Sequence, residues 1–272
     1  MKLIKEKKPQ LNEENKLMMK KPVCANVFVP LRMGPSHRSE QGSQILFGEK
    51  YSLIERSLNW LKIRNEFDGY EGWLDADHHL YFEAGERDMA RIHSERTVFT
   101  ADNAEKISLE AGSEIYNYRE EENTFVINGK QYAAAGRMNL CPVDESVGQT
   151  ARRFLNCPYL WGGRTEGGMD CSGLTQLVYK IHGHSLLRDS FKQAEQGKTV
   201  SFIEEAVEGD LVFFDNERGN ISHVGLLLEK GYVIHCSGKV RIDRIDHQGI
   251  YLEESKRYTH RLRTIKRLIN ED

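Results

Sequence analysis

The feature that most constrains this chain is a change of hydrophobic period close to its middle. From about Val23 to about Leu140, apolar residues come in short alternating or aromatic runs separated by turn residues: ANVFVPLR, EKYSLIER, NWLKIRN, GYEGWLDA, then RTVFTA, EKISLEAG, SEIYNYRE, TFVING and KQYAAA. Runs of this length and spacing indicate small antiparallel barrels or sandwiches. The break between two such units falls near FEAGERDMA, residues 82–90.

Beyond about residue 143 the period lengthens, then shortens again. Asp144 or Ser146 is placed to cap a helix running to about Leu155, with Val147, Ala151, Phe154 and Leu155 as its stripe. A second helix starts at Cys171: Leu174, Leu177, Val178 and Ile181 share one face, and Gly183 follows as a stop. GDLVFFD, ISHVGLLLE, YVIHCSG and VRIDRID then read as strands rich in branched and aromatic residues. Helices first and an antiparallel sheet second make this half α+β. The 272 residues divide into a tail (1–22), two all-β units (23–84 and 85–142) and an α+β domain (143–272).

Composition excludes more than it names. With 38 basic and 41 acidic side chains and a net charge of -3, nothing marks a nucleic-acid partner. The opening MKLIKEKKPQLNEENKLMMKK carries charges throughout and lacks the apolar stretch of an export signal, and no run approaches the roughly 18 apolar residues of a membrane span. A soluble cytoplasmic protein without a membrane partner is expected. Five cysteines (Cys24, Cys141, Cys157, Cys171, Cys236) without a Cys-x-x-Cys pair argue against both a disulfide framework and a zinc cluster, so neither metal nor cofactor is implied. GGRTEGG lacks the Gly-Lys-Ser/Thr ending and preceding strand of a phosphate loop.

Cys171 raises the central question, whether it is packed or reactive. It shares the inward stripe with Leu174, as a core thiol would. It also sits in the first helical turn, where free N–H groups and the helix dipole lower a thiol pKa. A nucleophilic thiol needs a base and a group that orients the base. His223 and His235 lie on successive strands joined by EKGY. If Glu229, Lys230 and Gly231 form a three-residue loop, His223 faces Ser237, and His235 lies diagonal to His223 on the same face. A two-residue loop would put the imidazoles on opposite faces. In the odd register, His223 takes the thiol proton and His235 holds its tautomer. An imidazole in the orienting role stabilises imidazolium less than a carboxylate would.

PYLWGG (158–163), DCSGL (170–174), GDLVFF (209–214), SHVGL (222–226) and VIHCSG (233–238), in this order, closely resemble the NlpC-type bacterial cell-wall cysteine peptidases. The resemblance covers about residues 143–272 and implies a papain-like catalytic domain with a Cys-His-His triad: Cys171 the nucleophile, His223 the base, His235 the orienting residue. Tyr159 matches the family tyrosine near the oxyanion site. The N-terminal half resembles the SH3-like barrels that precede such domains. PLRMGPSHRSEQGSQILFGEKYSLIE and WLKIRNEFDGYEGWLD resemble the first barrel of the subgroup cleaving between γ-D-glutamate and an L-diamino acid. That resemblance implies a barrel closing one end of the cleft, so that only murein peptides with a free N-terminal L-alanine fit. Tyr70, Asp170, Ser172 and Ser190 match substrate-contacting positions, and Glu40 is a candidate for the barrel acid facing the ammonium. Asp170 is equally placed to cap the helix, and Ser190 to serve in a turn. The expectation is a monomeric murein-peptide hydrolase recycling wall fragments. A non-catalytic wall-peptide binder and a related thiol amidase or acyltransferase are the alternatives.

Overall fold

The computed structural model describes residues 22–83, 91–101, 103–127, 130–134, 138–229 and 231–269. The tail expected before Pro22 and most of the expected break at 82–90 lie outside these residues. So does Lys230 of the hairpin loop.

Strand β1 (Pro22–Cys24) precedes β2 (Phe28–Arg32), β3 (Gln41–Leu46), β4 (Tyr51–Ser57), β5 (Trp60–Asn65) and β6 (Glu71–Asp75), and β7 (Tyr81–Glu83) returns to pair with β1. Strands β2 to β6 form a five-stranded antiparallel sheet in the order β3-β2-β6-β5-β4. Alternation decides which residues it buries: Val29 and Leu31, then Leu61 and Ile63, face a core shared with Ile45, Tyr51 and Leu74. The second unit comprises β8 (Arg91–Ile92), β9 (Thr97–Ala101), β10 (Lys106–Leu109), β11 (Glu114–Ile115), β12 (Thr124–Ile127) and β13 (Lys130–Ala134). Its core is aromatic, with Phe99 edge-on to Phe125 at 5.0 Å and Phe125 stacked on Tyr132 at 5.6 Å. Val23, Phe47 and Phe82 pack into this second core, while Cys24 packs into the first. The β1–β7 pair thus straddles the two.

In the last third, helix α1 (Val147–Arg152) is capped by Ser146 in a capping box with Gln149. It ends at Arg152, short of the expected Leu155. Phe154 and Leu155 instead make tight i→i+3 turns, Phe154 is buried, and Leu155 is 37% exposed. Asn156 takes a left-handed φ of 70° and turns the chain away. After the short pair β14 (Arg164–Thr165) and β15 (Gly168–Met169), helix α2 (Cys171–Ile181) is buried along its whole length. Helix α3 (Ser190–Gln193) and strands β16 (Lys198–Val200), β17 (Leu211–Asp215), β18 (Ile221–Leu227), β19 (Tyr232–Ser237), β20 (Lys239–Ile245), β21 (Gly249–Leu252) and β22 (Arg257–Arg267) complete the domain.

These strands form a seven-stranded antiparallel sheet, and a further pairing of β21 with β22 closes six of them into a ring. The antiparallel sheet expected from the sequence is therefore present and closed into a barrel. Its two faces have separate cores. Phe213, Val224, Leu226 and Ile234 pack against Leu174, Leu177, Val178 and Ile181 of α2, while Val212, Phe214, Leu227, Val233, Ile250 and Ile265 fill the ring. Burial on both faces explains why LVFF and VGLLL read as unbroken apolar runs.

Candidate active site

The nucleophile candidate is held by a local structure that its own sequence encodes. Asp170 is the N-cap of α2, accepting from Gly173 N at 2.7 Å, and the same carboxylate accepts from Gly162 N at 2.8 Å. Gly173 has to be glycine, because a Cβ there would lie 2.1 Å from the Gly163 carbonyl oxygen. The GG of PYLWGG and the SG of DCSGL are thus locked together. Cys171 opens the helix and is only 9% exposed. Backbone groups of Val224 and Ser172 hydrogen-bond to its thiol, so the sulfur sits against the strand that carries His223.

Helix position was expected to lower the thiol pKa. Burial overrides it: desolvation first, then the Asp170 carboxylate, push Cys171 up to about 12. His223 moves the other way, well below 6.5, through burial and then the neighbouring His235 and His260. Both shifts favour the neutral thiol and neutral imidazole. The other thiols lie elsewhere in the packing. Cys236 donates to the Met169 carbonyl at 3.1 Å and Cys24 to that of Asn26 at 3.6 Å.

The hairpin adopts the odd register. Gly225 pairs with His235, and Leu228 N donates to Tyr232 O at 3.0 Å. Gly231 has a left-handed φ of 86°. Continued by two residues, this register sets His223 opposite Ser237 and His235 on the diagonal. His223 Nε2 and His235 Nδ1 are 2.8 Å apart. Gly225 makes the diagonal possible, since a Cβ on it would meet Val233 at 2.6 Å and the His235 Cβ at 3.1 Å.

Three residues that sequence reasoning missed complete the cluster. His235 Nε2 lies 2.9 Å from Asp243 Oδ2, and Arg241 holds both oxygens of that carboxylate, at 2.6 and 2.8 Å. His260 stacks on His223 with ring centroids 4.3 Å apart. A pocket of about 840 Å³ opens beside His260, lined also by Asp215, Glu217, His247 and Tyr258. The available signal was the period of two in VRIDRID, which puts Arg241 and Asp243 on one face of β20 with Arg241 directly opposite His235. Among the described residues, no group of three or more His, Cys, Asp or Glu side chains is arranged to hold a metal ion.

Of the remaining expected residues, Tyr159, Ser172 and Tyr70 lie within electrostatic or hydrogen-bond range of Asp170 or Arg188. Tyr159 is 38% exposed and close enough to Cys171 and Asp170 to feel their charge; burial, then Cys171, raise its phenol to about 12, so it stays a donor. Of the two roles open to Asp170, the structure builds the cap and adds an ion pair: Arg188, also missed, contacts its oxygens at 3.0 and 2.7 Å. Ser172 Oγ donates to Asp170 at 3.2 Å and accepts from Arg188 at 2.8 Å. Ser190 begins α3, whose Gln193 donates to the Ser172 carbonyl at 3.0 Å. Tyr70 reaches over from the first β unit, its hydroxyl lying where a Cβ on Gly42 would be 2.1 Å away. Burial and then Asp189 raise its phenol to about 12, and Arg188 and Glu40 are also within electrostatic range. Glu40 accepts from Trp161 Nε1 at 2.5 Å, spanning the boundary between the first β unit and the α+β domain.

Comparison with known proteins fits this geometry. Residues 156–260 match the NlpC/P60 family, and residues 31–78 match the bacterial dipeptidyl-peptidase SH3 domain. The chain carries an NlpC/P60 domain preceded by a bacterial dipeptidyl-peptidase SH3 domain. A gamma-D-glutamyl-L-lysine dipeptidyl-peptidase of Bacillus subtilis is 28% identical over 216 residues, covering 71% of this chain and 71% of the relative. One of the same name from Bacillus cereus is 27% identical over 257 residues, covering 78% and 72%. In fold, the chain is similar to an NlpC/P60 family protein from Bacillus cereus, with a TM-score of 0.79 at 18% identity over 92% of this chain and 100% of that one. An NlpC/P60 endopeptidase from Photobacterium damselae gives a TM-score of 0.66 at 17% identity, covering 90% and 70%.

Proposed function

We propose that this NlpC/P60 protein is a cysteine peptidase that hydrolyses the bond between γ-D-glutamate and an L-diamino acid in murein peptides carrying a free N-terminal L-alanine. The observation that carries the reading is the capped thiol of Cys171 lying against the strand of His223, whose imidazole is itself bonded to His235. The names of the Bacillus relatives support this bond type.

In this mechanism His223 removes the thiol proton as sulfur attacks the γ-carbonyl carbon. The Tyr159 hydroxyl and the Cys171 N–H donate to the developing oxyanion. His223 then gives its proton to the departing amine of the diamino acid, leaving a thioester, and water activated by the same imidazole releases L-Ala-γ-D-Glu and restores the thiol. At the other end, Glu40 and the Tyr70 hydroxyl receive the alanine ammonium, with Asp170 behind them held by Arg188. A peptide blocked at its amino group meets a wall there. The pocket beside His260 offers room for the departing half.

The test is incubation with L-Ala-γ-D-Glu-L-diamino-acid peptides, free and N-acetylated, with products identified by mass. Cleavage of the free peptide alone is expected. Cys171→Ala is expected to abolish turnover while peptide binding stays measurable, and hydrolysis by that variant would sink the mechanism.

A further inference from the structure

We infer that Asp243, clamped by Arg241, is a positioning residue that sets the tautomers of both active-site histidines and so decides which nitrogen of His223 is the base. The inference rests on the proposed role of His223 and goes one step beyond it. An ionised carboxylate has only lone pairs to offer. His235 Nε2, 2.9 Å from Asp243 Oδ2, therefore carries a hydrogen. In a neutral His235 that leaves Nδ1 bare, so across the 2.8 Å contact the donor is His223 Nε2. The proton of His223 is then fixed on Nε2, and its lone pair is on Nδ1, the nitrogen outside the relay. That lone pair is what a thiol proton needs.

A second state competes. If His235 were doubly protonated, its Nδ1 would donate, His223 Nε2 would accept, and a neutral His223 would carry its hydrogen on Nδ1 with no lone pair left for sulfur. Asp243 alone would encourage that state by attracting charge onto His235. Arg241 opposes it. Its guanidinium binds both carboxylate oxygens and passes a further contact to Glu254 at 3.2 Å, so the carboxylate accepts a hydrogen bond while its charge is already matched. The groups facing His235 are His223 from β18, Arg241 and Asp243 from β20, and His260 from β22 with ring centroids 5.7 Å away. The two imidazoles add no negative charge. Burial raises the Asp243 pKa, but the hydrogen bonds from His235 and Arg241 outweigh it and hold the group at about 2, ionised wherever the protein would work.

The experiment reads tautomers and turnover on the same samples. Nitrogen-15 shifts of the full-length protein at neutral pH are expected to give Nε2-H for both His223 and His235. Asp243→Leu, which keeps the volume and removes the acceptor, is expected to mix the tautomers and lower kcat by about 100-fold or more with KM changed less than about threefold. Asp243→Asn is expected to fall between, with kcat following the fraction of His223 protonated on Nε2. Arg241→Met keeps the carboxylate and exposes its charge to His235, so the acid limb of the kcat profile is expected to move up by about half a pH unit or more. An unchanged His223 tautomer in Asp243→Leu overturns the inference, as does an unmoved limb in Arg241→Met. The tautomer measurement stands whether or not the wild type cuts the peptide, so failure of the proposed reaction is a separate result.

Discussion

The two N-terminal β units are similar in size and both antiparallel, yet they grip the catalytic domain at different places. The first reaches the loops around the nucleophile: Gln41 donates to the Trp161 carbonyl at 3.1 Å, Gln44 accepts from Arg164 N at 2.8 Å, and Arg188 donates to Ser43 at 3.2 Å. The second reaches the far end of α2 and the α1 turn, through Glu114 to Lys180 at 2.9 Å, through Gly112 packed on Leu177, and through the Ser94 carbonyl to Arg153. Under the proposed function the first unit shapes the cleft, and the second buttresses the helix that carries Cys171. Architecture alone would not separate these roles; the address of each contact does.

Both grips meet at one buried group. Glu49, at the turn after β3, is fully buried with Arg164 at 2.8 Å and Lys180 at 2.7 Å, and Lys180 also takes Glu114. Burial would raise its pKa, but Arg164 and then Lys180 hold it at about 2 against an ordinary 4.5. Glu49→Gln leaves two buried cations short of a partner and is expected to cost about 3–5 kcal/mol in denaturant unfolding, the largest effect among the contacts compared here. Because the folded pKa lies below the unfolded one, this stabilisation is complete above pH 4.5 and is lost as pH falls from there towards 2. The wild type is therefore expected to weaken over that interval and Glu49→Gln to weaken less. Equal acid sensitivity of the two proteins would remove Glu49 as the common anchor.

This junction also marks the limit of what the sequence makes legible. Helix α2 was readable because its cap, stripe and stop are all local, and the histidine hairpin because Gly231 fixes a short loop whose parity sets the face of every following residue. Glu49 and Arg164 are 115 positions apart, and no period links them. The closing strand β22, RYTHRLRTIKR, has too few apolar residues to announce a buried partner, although its pairing turns a sheet into a ring. Asp243 was within reach, two residues beyond the partner of His235, but a strand of alternating charges reads first as a solvated edge. The sequence reading stopped at an imidazole in the orienting role, and the structure adds a carboxylate one residue further along the relay.

The cleft-shaping role of the first unit predicts an effect on substrate choice rather than on folding. Glu40→Gln keeps an acceptor for Trp161 but removes the charge that the proposal assigns to the alanine ammonium. Loss of a charged hydrogen bond of this kind is worth about tenfold in kcat/KM for the free peptide, with unfolding unchanged. The preference over the N-acetylated peptide is expected to narrow by the same factor. An equal loss on both peptides would mean that the first unit supports the cleft without reading the amine.

The smallest expected effect belongs to the second unit. Glu114 is 17% exposed and shares Lys180 with Glu49, so Glu114→Gln leaves the buried ammonium with its closer partner still in place. The expected cost is about 1 kcal/mol in unfolding, as for a partly exposed ion pair, with kcat/KM unchanged on both peptides. Lys180 lies at the opposite end of α2 from Cys171, about two and a half turns along a helix whose buried stripe fixes it independently of this pair. A fall in kcat/KM beyond that of Glu40→Gln would mean that strain at Lys180 is transmitted to the thiol, and the second unit would then share control of the cleft with the first.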